Sequence, residues 1–145
     1  MNFNHGKYLG VDYGDVRTGI SECDVTGMLA SGICTIREGG MRNTATRVAK
    51  EAENRACKLI VVGLPRNMDG SEGERATTVR AFVEILRGLT DIPIDFFDER
   101  MSTMQAYRFL DGSGTFGKKR KESIDTLSAE IILQGYIDRE RNMSK

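Results

Sequence analysis

The sequence predicts an α/β fold in which a mixed five-stranded sheet, three strands in an antiparallel meander and two parallel, carries helices on its faces. Two observations predict it. The first third of the chain reads as short β-rich segments broken by Asp/Gly turns. Beyond Gly39-Gly40 the apolar pattern switches period, and helical stripes alternate with short, fully apolar runs. A length of 145 residues suits one domain over residues 1–145.

The meander comes from Tyr8 to Tyr13, Thr18 to Asp24 and Ala30 to Ile36, separated by turns at Gly14-Asp15 and Thr26-Gly27. Ala45, Val48, Ala49, Ala52 and Ala56 then mark a helical stripe. Lys58 to Leu64 is continuously apolar at Leu59-Ile60-Val61-Val62, as expected of a parallel strand covered on both faces, and Pro65 stops it. Ser71-Glu72-Gly73-Glu74 has capping-box spacing and would open a helix whose stripe is Val79, Phe82, Val83 and Leu86. Ile92 to Phe97 is the next strand, and Ser102-Thr103-Met104-Gln105 is a second capping box. Ser123 is the expected cap of a last helix running to about Arg141. This is the element order of the ribonuclease H-like fold, although flavodoxin-like and ferredoxin-like arrangements share many of its pieces.

Composition narrows the chemistry. Hydrophobic content of 39% and charged content of 29% are those of a globular chain. No apolar run is long enough to span a membrane, and Met1 to Lys7 lacks a signal-peptide core, so a cytoplasmic protein without membrane partners is expected. Cys23, Cys34 and Cys57 are odd in number and lack C-x-x-C spacing, which argues against a disulfide framework and a structural zinc site. His5 is the single histidine, so Ser-His-Asp and His-rich metal chemistries are poorly supplied. A metal here should be Mg²⁺ or Mn²⁺ on carboxylates. Basic and acidic residues number 21 each, which counts against wholesale nonspecific binding to nucleic acid.

Three segments place a carboxylate where one is awkward. Asp12 ends an apolar run in Gly10-Val11-Asp12-Tyr13-Gly14, and Glu99 ends another in Phe97-Asp98-Glu99-Arg100. Asp125 shares a helical stripe with Ala129, Ile132 and Tyr136. Buried acids are costly unless something positive accompanies them, which points to a metal site of oxygen ligands. Each also has an ordinary reading: a hairpin turn for Asp12, a charged strand-to-helix turn for Asp98-Glu99, and for Asp125 a helix first turn, where an acid gains ~0.3 to 1 kcal/mol. Strand alternation puts Asp98 and Glu99 on opposite faces and leaves open which one points at Asp12.

Arg17 could grip a phosphate or solvate its hairpin. Arg66 and Asn67 precede a helix N-terminus, a natural place for an anion. Lys118-Lys119-Arg120-Lys121, near Gly112, Gly114 and Gly117, reads as a basic loop able to meet a phosphate.

Taken together, Gly10 to Gly19, Ile60 to Gly70, Asp98-Glu99-Arg100-Met101-Ser102-Thr103, and Asp125 to Ala129 with Ile131-Ile132-Leu133 resemble the YqgF/RuvX family. The resemblance spans roughly Tyr8 to Tyr136. It implies a ribonuclease H-like nuclease related to Holliday-junction resolvases, cytoplasmic in bacteria and assigned to maturation of the 5′ end of pre-16S rRNA. The family's acidic positions fall on Asp12, Glu99 and Asp125 as catalytic and metal-binding residues. Resolvase relatives carry an acid at the end of the fourth strand. Here that strand ends Gly63-Leu64-Pro65, so Glu99 would have to substitute. Met101 stands where Leu or Phe is usual, and Thr126-Leu127-Ser128 replaces smaller residues.

The expected mechanism is phosphodiester hydrolysis with two divalent ions roughly 3.5 to 4 Å apart. Arg17, Arg66, Asn67, Arg100, Lys118, Lys119, Arg120 and Lys121 would hold the nucleic-acid backbone, setting register more than sequence. The substrate expected from the resemblance is RNA, structured or single-stranded. Tyr13, Tyr107 and Phe116 are the available aromatic platforms in a chain without Trp. Alternatives are a Holliday-junction-type DNA resolvase and a non-catalytic binding module of the same fold. An actin-like ATPase ranks last, because 145 residues hold only one of the two halves that enclose its nucleotide.

Overall fold

A computed structural model describes residues 6–37, 39–101 and 118–143, with residues 118–125 and 143 described by backbone alone. The chain runs β1 (Tyr8–Asp12), β2 (Thr18–Cys23), β3 (Ala30–Ile36), α1 (Met41–Asn54), β4 (Leu59–Leu64), α2 (Glu74–Arg87), β5 (Ile94–Asp98), a 3₁₀ turn (Glu99–Met101) and α3 (Lys118–Met143). The sheet order is β3-β2-β1-β4-β5. β1 and β2 pair antiparallel, as do β2 and β3, whereas β4 lies parallel to both β1 and β5. The expected meander and parallel pair are therefore both present, with β1 at the junction between them.

Alternation along the central strands sends side chains to two different cores. Leu9, Val11 and Tyr13 share one face with Ile60, Val62 and Leu64, and α1 and α2 cover it with Val48, Ala52, Val79, Phe82 and Leu86. The continuous apolar run of β4 follows from this arrangement, because Val61 faces the opposite core. There Tyr8, Val61 and Phe97 meet Ile132, Leu133, Tyr136 and Ile137 of α3.

α3 lies directly on the sheet because glycines let it. A Cβ on Gly10 would stand 2.8 Å from Leu133 Cβ and 2.9 Å from the Ala129 carbonyl oxygen. The Ser21 hydroxyl donates to that carbonyl at 2.7 Å, fixing the helix over β1 and β2. At the sheet edge, the β3 N–H groups of Ala30 and Gly32 donate to Gln134 Oε1 and Glu130 Oε1 at 2.8 and 2.9 Å. Side chains of α3 thus occupy donors that an open edge would offer to another strand.

Several boundaries differ from expectation. α2 is capped by Gly73 without a side-chain bond, so Ser71-Glu72-Gly73-Glu74 does not form a capping box. Ser71 instead donates its hydroxyl to Asp69 Oδ1 at 2.6 Å, stabilising the loop before the helix. α1 ends at Asn54, and Ala56 lies beyond it, exposed, with φ +55°. Its N–H donates to Glu53 O, and the Cys57 N–H donates to Ala52 O, a Schellman termination that takes Ala56 off the helical stripe.

α3 begins at Lys118, so Ser123 lies inside the helix rather than capping it, and Lys118 to Lys121 form its first turn rather than a loop. The reason is local: Lys, Arg and Glu are good helix formers, and no breaker stands between Gly117 and Ser123. Asp125 is therefore two turns into the helix and gains nothing from the N-terminal partial charge. The Ser102 to Gln105 capping box lies outside the described residues, as do His5, Tyr107 and Phe116. Among the described residues, no helix is long and apolar enough to cross a membrane.

Candidate active site

Asp12 and Glu99 end adjacent parts of one sheet face. Gly10 faces α3, so two residues on Asp12 shares that face at the carboxyl end of β1, and it is half-buried. The β1–β4 register pairs Val11 with Val62, which sets Asp12 beside Gly63. Gly63 in turn pairs with Phe97 of β5, two residues before Glu99. Glu99 is 5% exposed, and its Oε2 lies 3.0 Å from where a Cβ on Gly63 would stand. The missing side chain of Gly63 thus makes the space into which the β5 glutamate reaches, at the end of the fourth strand. The carboxylate facing α3 beside Asp12 is Glu99, not Asp98.

The third acid comes from α3. Ala129, Ile132 and Tyr136 are buried against the sheet as the stripe predicts, and Ile132 packs on Gly63. Asp125 lies on the helix one turn before Ala129, and its side chain is outside the described residues. Among the described residues no group of three His, Cys, Asp or Glu side chains is arranged to hold an ion. Asp12 and Glu99 nevertheless supply carboxylate oxygens on one face, a donor type suited to hard cations.

Asp98 faces the other way and organises cations. Its Oδ2 accepts from Arg100 Nη2 at 2.7 Å, and Arg66 Nη1 lies 3.9 Å from the same oxygen. The hydrogen-bonded Arg100 guanidinium holds the Asp98 carboxyl below its usual range, against the opposing effect of burial. The network continues from Arg66 Nη2 to Glu72 at 3.4 Å, and Glu72 receives Arg80 Nε and Nη2, both at 2.7 Å. Arg66 Nε has no hydrogen-bond partner among the described residues. Sequence reasoning weighed Asp98 only as the alternative to Glu99, and Gly63 only as the place of a lacking acid; the arginine-ordering role of the first and the space left by the second were not read. The Asp-x-Arg spacing was a visible signal for the first, whereas the second shows itself only through sheet register.

Other expected contacts separate. Asn67 is exposed, but its Nδ2 donates to Ser71 Oγ at 3.0 Å and its backbone closes the same loop, so it shapes the loop. Tyr13 is not a base platform: it is 6% exposed and stacked on Phe82 with ring centroids 4.3 Å apart. Arg17 is half-buried in the β1–β2 turn. The side chains of Lys118, Lys119, Arg120 and Lys121 lie outside the described residues. A cleft of about 650 Å³ opens between that turn and α2, but Asp15, Glu72 and Glu74 line it beside the single cation Arg75, which does not suit a phosphate backbone.

The sheet order, the helix across one face and the acids at its carboxyl edge define a ribonuclease H-like domain. Solved structures share the fold. Thermus thermophilus RuvC in complex with a Holliday junction substrate aligns with a TM-score of 0.65 over 97% of this chain and 98% of its own, at 12% identity. A second structure of RuvC from that organism gives 0.56 over 94% and 96%, at 14% identity. Residues 6–139 match the RuvX family, described as Holliday junction resolvase, and the chain belongs to that family. A relative from Caldanaerobacter subterraneus is 41% identical over 94% of this chain and 99% of its own length. One from a Ruegeria species is 42% identical over 93% and 86%. Both carry the name "Putative pre-16S rRNA nuclease". Phosphodiester hydrolysis is thus the activity attached to the group in which this chain falls.

Proposed function

We propose that this protein is a metal-dependent nuclease that hydrolyses phosphodiester bonds in the 5′-end maturation of pre-16S rRNA. The observation that carries the reading is the approach of Glu99 over Gly63 to the row that Asp12 ends, which gathers two carboxylates from separate strands on one sheet face. The names of the relatives support the reaction and the RNA substrate.

Asp12, Glu99 and Asp125 are the residues that would hold Mg²⁺ or Mn²⁺, two ions in all. Divalent cations supply Lewis acidity, lowering the pKa of an attacking water and stabilising the leaving oxygen. The chain's own contribution is placement. β1 holds Asp12 at a rigid strand end, and the glycine at position 63 leaves room for Glu99. The Ser21 bond to Ala129 O fixes the helix that bears Asp125. Arg66 and Arg100, ordered by Asp98, stand at the same sheet edge to receive phosphates, with Arg17 and the first turn of α3 as further cations. Such contacts position a strand rather than read its sequence.

A second reading, cleavage of branched DNA, is favoured by the family's description as a resolvase. One experiment tests both: Mg²⁺- or Mn²⁺-dependent cleavage of a 5′-extended 16S rRNA fragment beside a DNA four-way junction, for wild type, Asp12→Asn and Glu99→Gln. RNA cleavage abolished in both variants with binding retained is the expected result. Junction cleavage alone would transfer the reading to DNA. Binding without cleavage by wild type with either ion would leave a binding module.

A further inference from the structure

Three loops meet the sheet edge at which Asp12 and Glu99 end, and each sets an arginine beside an exposed apolar side chain. Val16, 74% exposed, precedes Arg17 between β1 and β2. Met68, 73% exposed, follows Arg66 by two residues after β4, and Met101, 63% exposed, follows Arg100 after β5. The other large apolar side chains exposed among the described residues, Val25, Met28 and Leu29, all belong to the β2–β3 turn at the opposite end of the sheet. Single exposed apolar residues need no explanation, but three contributed by three separate loops around one candidate site call for one.

The two methionine loops are joined. Arg100 Nη1 donates to the Met68 carbonyl at 3.4 Å, and Asp98 binds Arg100 while also lying 3.9 Å from Arg66. Both thioethers therefore project from loops tied together by an arginine–carboxylate network, beside the acids Asp12 and Glu99. On the nuclease reading the ligand is a nucleic acid, and the part of it that complements exposed apolar side chains is a base face available for contact. A continuous duplex offers the backbone but buries its base faces in the stack, whereas an unpaired strand offers both.

We propose that Val16, Met68 and Met101 contact the faces of unstacked bases, so that the site selects strands with unpaired nucleotides over continuous duplex. The inference rests on the nuclease reading and names its substrate class more narrowly. Methionine suits the task because its flexible, polarizable thioether adapts to any aromatic ring, giving contact without sequence preference.

The test measures binding by full-length protein in the Asp12→Asn background with Mg²⁺, so that cleavage does not intervene. The ligands are a short labelled RNA strand, its duplex, the same strand with abasic positions, and the DNA counterparts. Replacing both methionines, Met68→Ala with Met101→Ala, should weaken binding of the unpaired strand roughly tenfold and leave duplex affinity and salt dependence unchanged. The abasic strand should bind the unsubstituted platform as weakly, and Met68→Leu with Met101→Leu should restore affinity. An equal loss with DNA supports base-face contact alone, and a loss confined to RNA supports it with the sugar as a second determinant. Equal losses on strand and duplex, or none on either, overturn the inference. If the unsubstituted platform binds none of these nucleic acids, the nuclease reading itself fails; if it binds strand and duplex equally, only the present inference does.

Discussion

Asp98 grips Arg100 through both carboxylate oxygens: Oδ2 accepts from Nη2 at 2.7 Å and from Nε at 3.1 Å, while Oδ1 accepts from Nε at 3.2 Å and from the Arg100 backbone N–H at 3.0 Å. The backbone bond closes the strand-to-turn corner and the side-chain bonds fix the guanidinium. A carboxylate adjacent to the proposed metal ligand is thereby committed to positioning a cation. Asp98→Asn keeps the shape and removes the charge. Its expected outcome is a KM raised roughly tenfold, the scale of one charge-assisted hydrogen bond, with kcat and the metal dependence little changed. Steady-state kinetics at several Mg²⁺ concentrations check it, and a kcat loss matching that of Asp12→Asn would mean that Asp98 acts in the chemistry.

Gly63→Ala tests the space beneath Glu99. The added methyl would meet Ile132 Cδ1 and lie 3.0 Å from Glu99 Oε2, in a packed layer with little room to yield. Overpacking of this kind costs ~1 to 3 kcal/mol, so urea denaturation should show a lowered midpoint. kcat should fall more than stability explains, because the methyl displaces the carboxylate itself. Full activity at a temperature where the variant is folded would contradict the placement of Glu99 in the site.

Ala56 offers the opposite sign. It holds φ +55° to complete the Schellman turn, a conformation disfavoured for any residue with a Cβ. Ala56→Gly should stabilise the protein by roughly 1 kcal/mol, since relief of that strain exceeds the added freedom of the unfolded chain. Chemical denaturation measures it, and activity should be unchanged.

Cys57 predicts a pH effect. Burial chiefly, aided by the negative Glu22 nearby, pushes its thiol from an ordinary 9.0 up to about 11. The folded state therefore favours the protonated thiol. Its stabilising contribution is complete below pH 9 and is lost as the pH rises from there through about 11, because the unfolded chain ionises first. Stability followed by denaturation between pH 8 and 11 should decline less steeply in Cys57→Ala than in wild type, and native Cys57 should resist thiol alkylation at pH 8.

Much of this molecule was legible as pattern. The apolar run Leu59 to Val62 announced a strand covered on both faces, and β4 has helices on each side of it. The stripe Ala129, Ile132 and Tyr136 announced a buried helix face. Such signals survive in sequence because burial constrains every second or every third and fourth residue. Local capping signals fared worse. Ser71 and Ser123 each have a cap's composition, yet Ser71 is held by Asp69 and Asn67, and the helix around Ser123 starts a turn earlier because good helix formers precede it.

By itself, then, the sequence determined the order and type of the elements, the family, and the carboxylates Asp12, Glu99 and Asp125 as the residues to watch. Only the tertiary structure decided that Glu99 and not Asp98 faces α3, that Gly63 leaves room for it, and that Asp98 serves the arginines instead. The physical reason is that alternation fixes only that neighbouring side chains point to opposite faces, not which face α3 covers. That choice is set by the register of neighbouring strands and by the helix and charges on each face, all of which come from parts of the chain distant in sequence.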